Sequence, residues 1–374
     1  HLILYFYEFL MSNVLKLPFS KIYFGAPKAV FCVLYYTLLF VITYVIRSKG
    51  REMIISAEIR EEKTGRSEFY LSKKGKKVAV ELIASLLLLP LLITIHLPDG
   101  FFVTMIDVGQ GDCLMISDGY GRHYMIDGGS TDVKDVGGYR ILPYLKYHGI
   151  NRIDAWFVTH CDLDHISGLS ELISEDFPVR KIYFAKALEE NENYEALLEL
   201  AKDKEIEIDY LSKGDKVGRE ECFFTILYPE EKPTFSGANE NSLIMRLDAE
   251  DFSMMLTGDA GEEQEGYVIQ SPESESGVSI AESSEESVTY ELDVDILKAG
   301  HHGSNSSNSS EWLNAISPEI CIISAGENNR YGHPGDETLS RLEEEGCKTY
   351  CTIDTGQITM KHKKNKFVMN TYLQ

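Results

Sequence analysis

The chain has 374 residues, 44% of them hydrophobic, enough for two or three domains with buried cores. Its 59 acidic residues outnumber 36 basic ones, and the formal net charge of -23 argues against a surface built as a whole to hold nucleic acid. Seven cysteines without close spacing exclude a disulfide scaffold, and the lack of a Walker loop, dinucleotide fingerprint or kinase signature excludes ATP hydrolysis by those devices.

In chain order, Leu2 to Phe9 is apolar and aromatic, with Pro18 and Pro27 as breakers, and reads as the end of a membrane-associated segment. From Ala29 to Ile46 no residue is charged, and eighteen helical residues at 1.5 Å rise cover about 27 Å, enough to cross a hydrocarbon core. A second uncharged run, Leu82 to Leu97, is lengthened by Val78 to Val80, with Glu81 at its edge and Pro90 as a kink. Transmembrane helices are therefore expected near 29-46 and 78-97, and residues 1-97 form a membrane segment. The loop between them, Arg47 to Lys77, holds ten lysines and arginines against five glutamates, a composition that stays in the cytoplasm. Residues 98-374 then emerge as a separate domain on the extracytoplasmic face.

That domain alternates strand and helix signals. Strands are expected at Phe101 to Asp107, Cys113 to Ser117, His123 to Ile126, Ala155 to Thr159, Lys181 to Phe184, Ile206 to Leu211 and Phe223 to Leu227, with helices near Arg140 to His148 and Glu190 to Lys202. The second half repeats this outline, with strands at Ser242 to Leu247, Ser253 to Leu256, Val294 to Lys298, Ile320 to Ser324 and Thr349 to Ile353, and helices at Ser309 to Ile316 and Glu337 to Glu345. Asp259 through Asp295 holds twelve acidic residues and no lysine or arginine, which predicts a disordered, low-complexity insertion near 262-290. Near the C-terminus Lys361, Lys363, Lys364 and Lys366 read as a solvated hairpin tip.

The chemistry gathers at His160-Cys161-Asp162-Leu163-Asp164-His165, in a tight loop after an apolar strand. A catalytic metal needs several imidazole or carboxylate ligands converging on one point with a position left open. His160 with Asp162, and Asp164 with His165, have the spacing to serve two adjacent ions. Further donors stand at other strand ends, in Thr257-Gly258-Asp259 and His301-His302-Gly303-Ser304. Cys161 lies between ligands and is not expected to bind metal.

These motifs, with Asp107-Val108-Gly109-Gln110-Gly111-Asp112, Ile126-Asp127-Gly128-Gly129, Asn241-Ser242 and Tyr331-Gly332-His333-Pro334, resemble in order those of metallo-beta-lactamase-fold hydrolases, and among them the ComEC/Rec2 competence proteins that import DNA. The resemblance implies a four-layer αββα sandwich after a polytopic membrane channel, most of which would lie outside a chain that begins with histidine. It implies two divalent ions, with His160 and Asp162 on one, Asp164 and His165 on the other, Asp259 bridging, and His301 or His302 completing the second site. The other histidine of that pair is free to contact phosphate or protonate a leaving group. Asp127 resembles the buried carboxylate that orients a ligand histidine, Asn241 or Asn239 offers an amide oxygen, and His333 takes a supporting place. Asp107 and Asp112 are expected to close the edge of the site without touching metal.

The commonest superfamily pattern is altered here, because Asp162 stands where a second histidine is usual and no histidine lies between His165 and His301. An oxygen-rich first site favours manganese or magnesium, with zinc as an alternative. The expected activity is a membrane-tethered phosphodiesterase, a nuclease acting on the DNA strand not imported during transformation, with other competence uptake proteins as partners. The alternatives are a non-catalytic DNA-gripping component of the uptake channel and an esterase of small phosphodiesters such as choline phosphate.

Overall fold

A computed structural model describes residues 2–14, 22–55, 57–61, 67–71, 83, 100–249, 252–271, 292–363 and 366–373. The chain forms two compact units, His1–Leu97 with Leu145–Ile150, and Pro98–Tyr144 with Asn151–Gln374.

In the first unit, the apolar N-terminal run forms the helix Leu2–Val14. The uncharged run 29–46 forms the first turns of the helix Ala29–Ile55. Large apolar side chains on both helices are exposed, among them Phe6, Phe9, Val33, Tyr36 and Phe40. Among the described residues no helix is long and apolar enough to cross a membrane. The span expected at 78–97 lies outside the described residues apart from Ile83. The basic connection contains structure, because β1 (Ala57–Glu61) and β2 (Ser67–Leu71) pair antiparallel.

The second unit is built on two mixed sheets. One carries β3 (Phe101–Met105), β4 (Leu114–Asp118), β5 (His123–Ile126), β6 (Ala155–Val158), β7 (Lys181–Ala185), β8 (Glu207–Leu211), β16 (Ile358–Lys363) and β17 (Lys366–Thr371) in the order β17-β16-β3-β4-β5-β6-β7-β8. The other carries β9 (Lys216–Arg219), β10 (Cys222–Tyr228), β11 (Ile244–Ala249), β12 (Phe252–Leu256), β13 (Ile296–Lys298), β14 (Ile320–Ile323) and β15 (Lys348–Cys351) in the order β15-β14-β13-β12-β11-β10-β9. Each sheet is antiparallel at one side and parallel at the other, from β5 to β8 and from β12 to β15.

Period-two alternation dictates the layers. Along β12, Phe252, Met254 and Leu256 join the cluster between the sheets, while Met255 joins a second cluster with Trp312, Leu313 and Ile316 of the helix Ser310–Ile316. The sheets meet where Phe224 packs on Phe157 at 4.5 Å and on Tyr124 at 5.4 Å between ring centroids. Fully burying each such side chain contributes about 1.5–3 kcal/mol.

Several elements differ from the sequence reading. The strand expected from Ser242 starts at Ile244, because Asn239–Asn241 forms a 3-10 turn. β15 stops at Cys351 and the chain makes a helical turn, Thr352–Thr355. Glu262–Ile269 is a helix, so the acidic insertion does not begin at 262. Three glutamates occupy its first turn, where the helix dipole favours negative charge, and Val268 joins the outer core. Glu265 is buried and accepts hydrogen bonds from the Asn308 and Ser309 amides. Residues 272–291 of the expected insertion lie outside the described residues.

Candidate metal centre

The site forms where both sheets release their chains into loops. β6, wholly buried, delivers Thr159 and His160. The next residues are not a free loop, because the helix Leu163–Ser174 begins at once and carries Asp164 and His165 on its first turn. β12 releases Asp259, β13 releases His301 and His302, and β5 releases Asp127.

The glycines in the aspartate motifs have a steric cause. The Asp112 amide donates to Asp164 O at 3.0 Å, the Gly128 amide to His165 O at 2.7 Å, and the Gly129 amide to Asp112 O at 3.1 Å. Two backbone segments, at Asp112 and at Gly128-Gly129, are thereby joined to each other and laid against the start of one helix. A Cβ on Gly111 would overlap the carbonyls of Gly129 and Asp164, and one on Gly129 would overlap the backbone of Leu163 to His165.

Hydrogen bonds at one nitrogen of each histidine aim the other inward. Asp127, buried, accepts from the Thr159 amide and hydroxyl, both at 2.8 Å, and lies 2.9 Å from His165 Nδ1. His165 Nε2 then faces Asp259 Oδ1 at 3.3 Å. His302 Nδ1 lies 3.0 Å from Ser324 O, and its Nε2 lies 3.6 Å from both Asp164 Oδ2 and Asp259 Oδ2. His160 Nδ1 is 3.1 Å from Thr159 Oγ1 and 3.3 Å from Ser242 Oγ, and its Nε2 is 3.8 Å from Asp162 Oδ2.

Four overlapping sets of donors lie close enough to share an ion: His160, His165 and Asp259; Asp164, His165 and His302; Asp112, Asp259 and His302; and Asp112, Asp127 and His165. His160 Nε2, His165 Nε2, His302 Nε2, Asp112 Oδ1 and Asp259 Oδ1 are all buried without a hydrogen-bond partner. Leaving such atoms unsatisfied costs about 1–3 kcal/mol each. A cation repays that cost at every one, so this donor set fits divalent metal.

Placement differs from expectation at several residues. Asp162 has a side chain 46% exposed and belongs to none of the four sets. His301 also belongs to none; it is partly exposed, with Nε2 3.7 Å from Asp259 Oδ2. Asn241 donates its amide nitrogen to the carbonyls of Phe235 and Gly237 and leaves its own buried amide oxygen without a hydrogen-bond partner, and the hydrogen bond to His160 comes from Ser242, which also accepts from the Asp259 amide at 3.3 Å. His333 is half-buried, with its ring 6.2 Å from that of His302 at 29°. Asp112, expected only to close the edge, reaches the centre itself. It forms a buried ion pair with Lys298, whose Nζ donates to Gly258 O at 3.3 Å. Lys298 escaped the sequence reading, although a lysine ending the apolar run Val294 to Leu297 was a signal for a buried charge.

Charges in the centre oppose burial. Burial alone would neutralise His302, but Asp259 and Asp112 raise its pKa to about 9. Burial also disfavours a charged His165, and Asp259 and Asp127 outweigh it, holding the group well above its usual value. His160 goes the other way, pushed down to about 3 by burial and by His165. In metal-free protein, protons on His165 and His302 therefore occupy the place of cations at neutral pH. Metal must displace them, so manganese affinity should rise as pH rises towards 9 and weaken as pH falls, with proton release during loading. Titration in an indicator buffer checks this; loading without proton release would place the ions elsewhere.

The description Metallo-beta-lactamase superfamily belongs to a family model that matches residues 106–327. ComE operon protein 3 of Bacillus subtilis (strain 168) is 29% identical over 283 residues, 72% of this chain and 34% of that protein. Competence protein ComA of Neisseria gonorrhoeae is 28% identical over 256 residues, 68% of this chain and 31% of that protein. The chain thus spans about a third of the length of these curated relatives. Among solved structures, the metallo-beta-lactamase fold protein YhfI from Bacillus subtilis aligns with 69% of this chain and 99% of its own, at 11% identity and a TM-score of 0.44.

Proposed function

The chain belongs to the metallo-beta-lactamase superfamily, and from that premise we propose that it is the metal-dependent phosphodiesterase of a membrane-tethered DNA-uptake protein, cleaving the strand that is not imported. The observation that carries the reading is the convergence of three unpartnered imidazole nitrogens on the carboxylates of Asp112, Asp164 and Asp259. Similarity to competence proteins supports DNA as the substrate.

His160, His165 and Asp259 would hold one ion, and Asp164 and His302 the other, with Asp259 shared and Asp162 at the open side of the first. Two imidazoles on the first ion depart from the oxygen-rich site expected from the sequence, so zinc stands beside manganese as a candidate, with magnesium as comparator. When bound, two divalent cations supply Lewis acidity and a water of lowered pKa, the means to cleave a phosphodiester.

The chain's own groups do the rest. Asp127 fixes the ring of His165, Ser324 O fixes His302, and Thr159 with Ser242 fixes His160. His301, beside Asp259 and outside the sets of converging donors, is the histidine free to contact a phosphate; burial lowers its pKa, so protonating a leaving oxygen would need the substrate's negative charge to raise it again. His333, lowered to about 4 by burial and by His301 and His302, is neutral and able to hydrogen-bond a phosphate. The exposed apolar side chains of the helices in residues 2–44 suit a lipid environment, and in this reading the basic connection after them is cytoplasmic and the metal domain, beyond a second span at 78–97, is extracytoplasmic.

The test incubates the full chain in detergent with end-labelled single- and double-stranded DNA in manganese, magnesium or zinc, beside an Asp164→Ala control. Metal-dependent product ladders that vanish in the control are expected. Intact DNA with hydrolysis of bis(p-nitrophenyl) phosphate would turn the reading to a small-phosphodiester esterase. DNA bound but never cut would turn it to a gripping module.

A further inference from the structure

From the candidate metal centre a file of rings leads to the surface. The ring of His333 lies over His302, Tyr331 stacks on His333 at 5.6 Å and 21°, and the Arg330 guanidinium lies 4.7 Å from the Tyr331 ring centre. Tyr331 is 47% exposed, a large aromatic left open to solvent two rings from the centre. The loop beneath it is braced. Asn329 donates to the carbonyls of Gly326 and His333, and its side-chain oxygen accepts from the amides of Tyr331 and His333. The Gly335 amide then ties the loop to Gly303 O at 2.9 Å, beside the histidine pair. Such bracing presents Tyr331 in a fixed place before any ligand arrives.

Arg330 matters because of the charge around it. Lys298 is spent on Asp112 and Arg140 on Asp107. Arg330 is exposed, and among the described residues it has no carboxylate within salt-bridge distance. The exposed Tyr331 ring and the Arg330 guanidinium, which donates to Tyr331 Oη and has no carboxylate partner among the described residues, match one nucleotide of an unpaired strand, which offers a base to stack and a phosphate to pair.

We propose that Tyr331 and Arg330 form a nucleotide-binding subsite beside the metal centre, with an unpaired base on Tyr331 and the flanking phosphate on Arg330. The subsite rests on the phosphodiesterase reading above and gives it a preference for single strands, because a paired base keeps its faces inside the duplex.

The experiment measures binding of the full chain in EDTA, so that nothing is cut, by fluorescence anisotropy. The probes are an oligothymidylate and an oligonucleotide with the same number of phosphates in which the central residues are abasic. Tyr331→Ala should weaken oligothymidylate binding about 5- to 100-fold, the cost of one base–aromatic stack, and shift the abasic probe less than about twofold. Tyr331→Phe, which keeps the ring and loses the hydroxyl that accepts from Arg330, should keep the preference for oligothymidylate over the abasic probe, and Tyr331→Leu should repeat the selective loss. Arg330→Ala should weaken both probes together and lower the salt slope by about one. Equal effects of Tyr331→Ala and Tyr331→Leu on the two probes, or failure of Tyr331→Phe to hold the base-dependent part, would overturn the subsite. Hydrolysis by the unchanged chain in manganese is followed separately. Base-dependent binding without hydrolysis keeps the subsite and removes the nuclease, while hydrolysis without a Tyr331 effect does the reverse.

Discussion

An Asp259→Ala chain should fold, lose most of its bound manganese, and hydrolyse phosphodiesters at less than about one hundredth of the original rate. Among the described residues, Asp259 is the one carboxylate that faces three of the centre's four histidines at close range, at 3.3 Å from His165 Nε2, 3.6 Å from His302 Nε2 and 3.7 Å from His301 Nε2. It belongs to two of the four sets of converging donors. Its backbone is fixed independently of its side chain, because Gly258 before it takes a left-handed φ of 51° and Ser242 accepts from its amide. Asp127→Asn makes the comparison, since in the proposed arrangement Asp127 orients His165 and holds neither ion, and loss of such an orienting partner typically costs 10- to 100-fold, about one to two orders of magnitude. Asp259→Ala should exceed it. Metal content by mass spectrometry and initial rates on bis(p-nitrophenyl) phosphate give the ranking; full metal occupancy in Asp259→Ala would remove Asp259 as the shared ligand.

Much of this centre was legible in the sequence because its donors follow apolar strands, whose alternation is a local signal. His160, Asp259 and the His301-His302 pair all come off strands expected within a residue or two of where they end. The helix Leu163–Ser174 was missed for a physical reason. Its opening aspartates read as donors in the site and favour a helix start, but it contains Gly168, a poor helix former that is needed there because a Cβ would crowd Gly128 O and Ile141. β9 was missed for another reason, since its lysine, glycine and arginine give no apolar period and only pairing with β10 orders it, whereas the hairpin expected near the C-terminus is formed by β16 and β17. Asp112, Lys298 and Ser242 lie far apart in the chain and meet only in the fold. No spacing rule connects Asp112 to Lys298, 186 positions later, until β4 and β13 are set in facing sheets.

The second large effect belongs to that pair. Lys298 and Asp112 are both buried, and Lys298→Met would leave a carboxylate inside the protein beside Asp259 and Asp164 with no fixed cation. Breaking a buried pair in this way costs about 3–5 kcal/mol. Burial disfavours the charged form of Asp112, yet Lys298 and His302 hold its pKa well below the usual carboxylate value of 3.8. A carboxylate depressed in the folded state contributes stability that is full above its unfolded pKa, about 4, and is lost as pH falls through the folded value. In Lys298→Met that contribution shrinks, so the deficit should be largest near neutral pH and narrow on acidification. Manganese should restore part of it, because a bound ion supplies positive charge to the same carboxylates. Urea unfolding in EDTA and in manganese, at neutral and acid pH, measures both dependences. A loss below about 1 kcal/mol in EDTA would mean that the pair is screened as a surface pair is. A full loss relieved by Asp112→Leu on the Lys298→Met background would show that the stranded charge, and not the missing lysine stem, sets the cost.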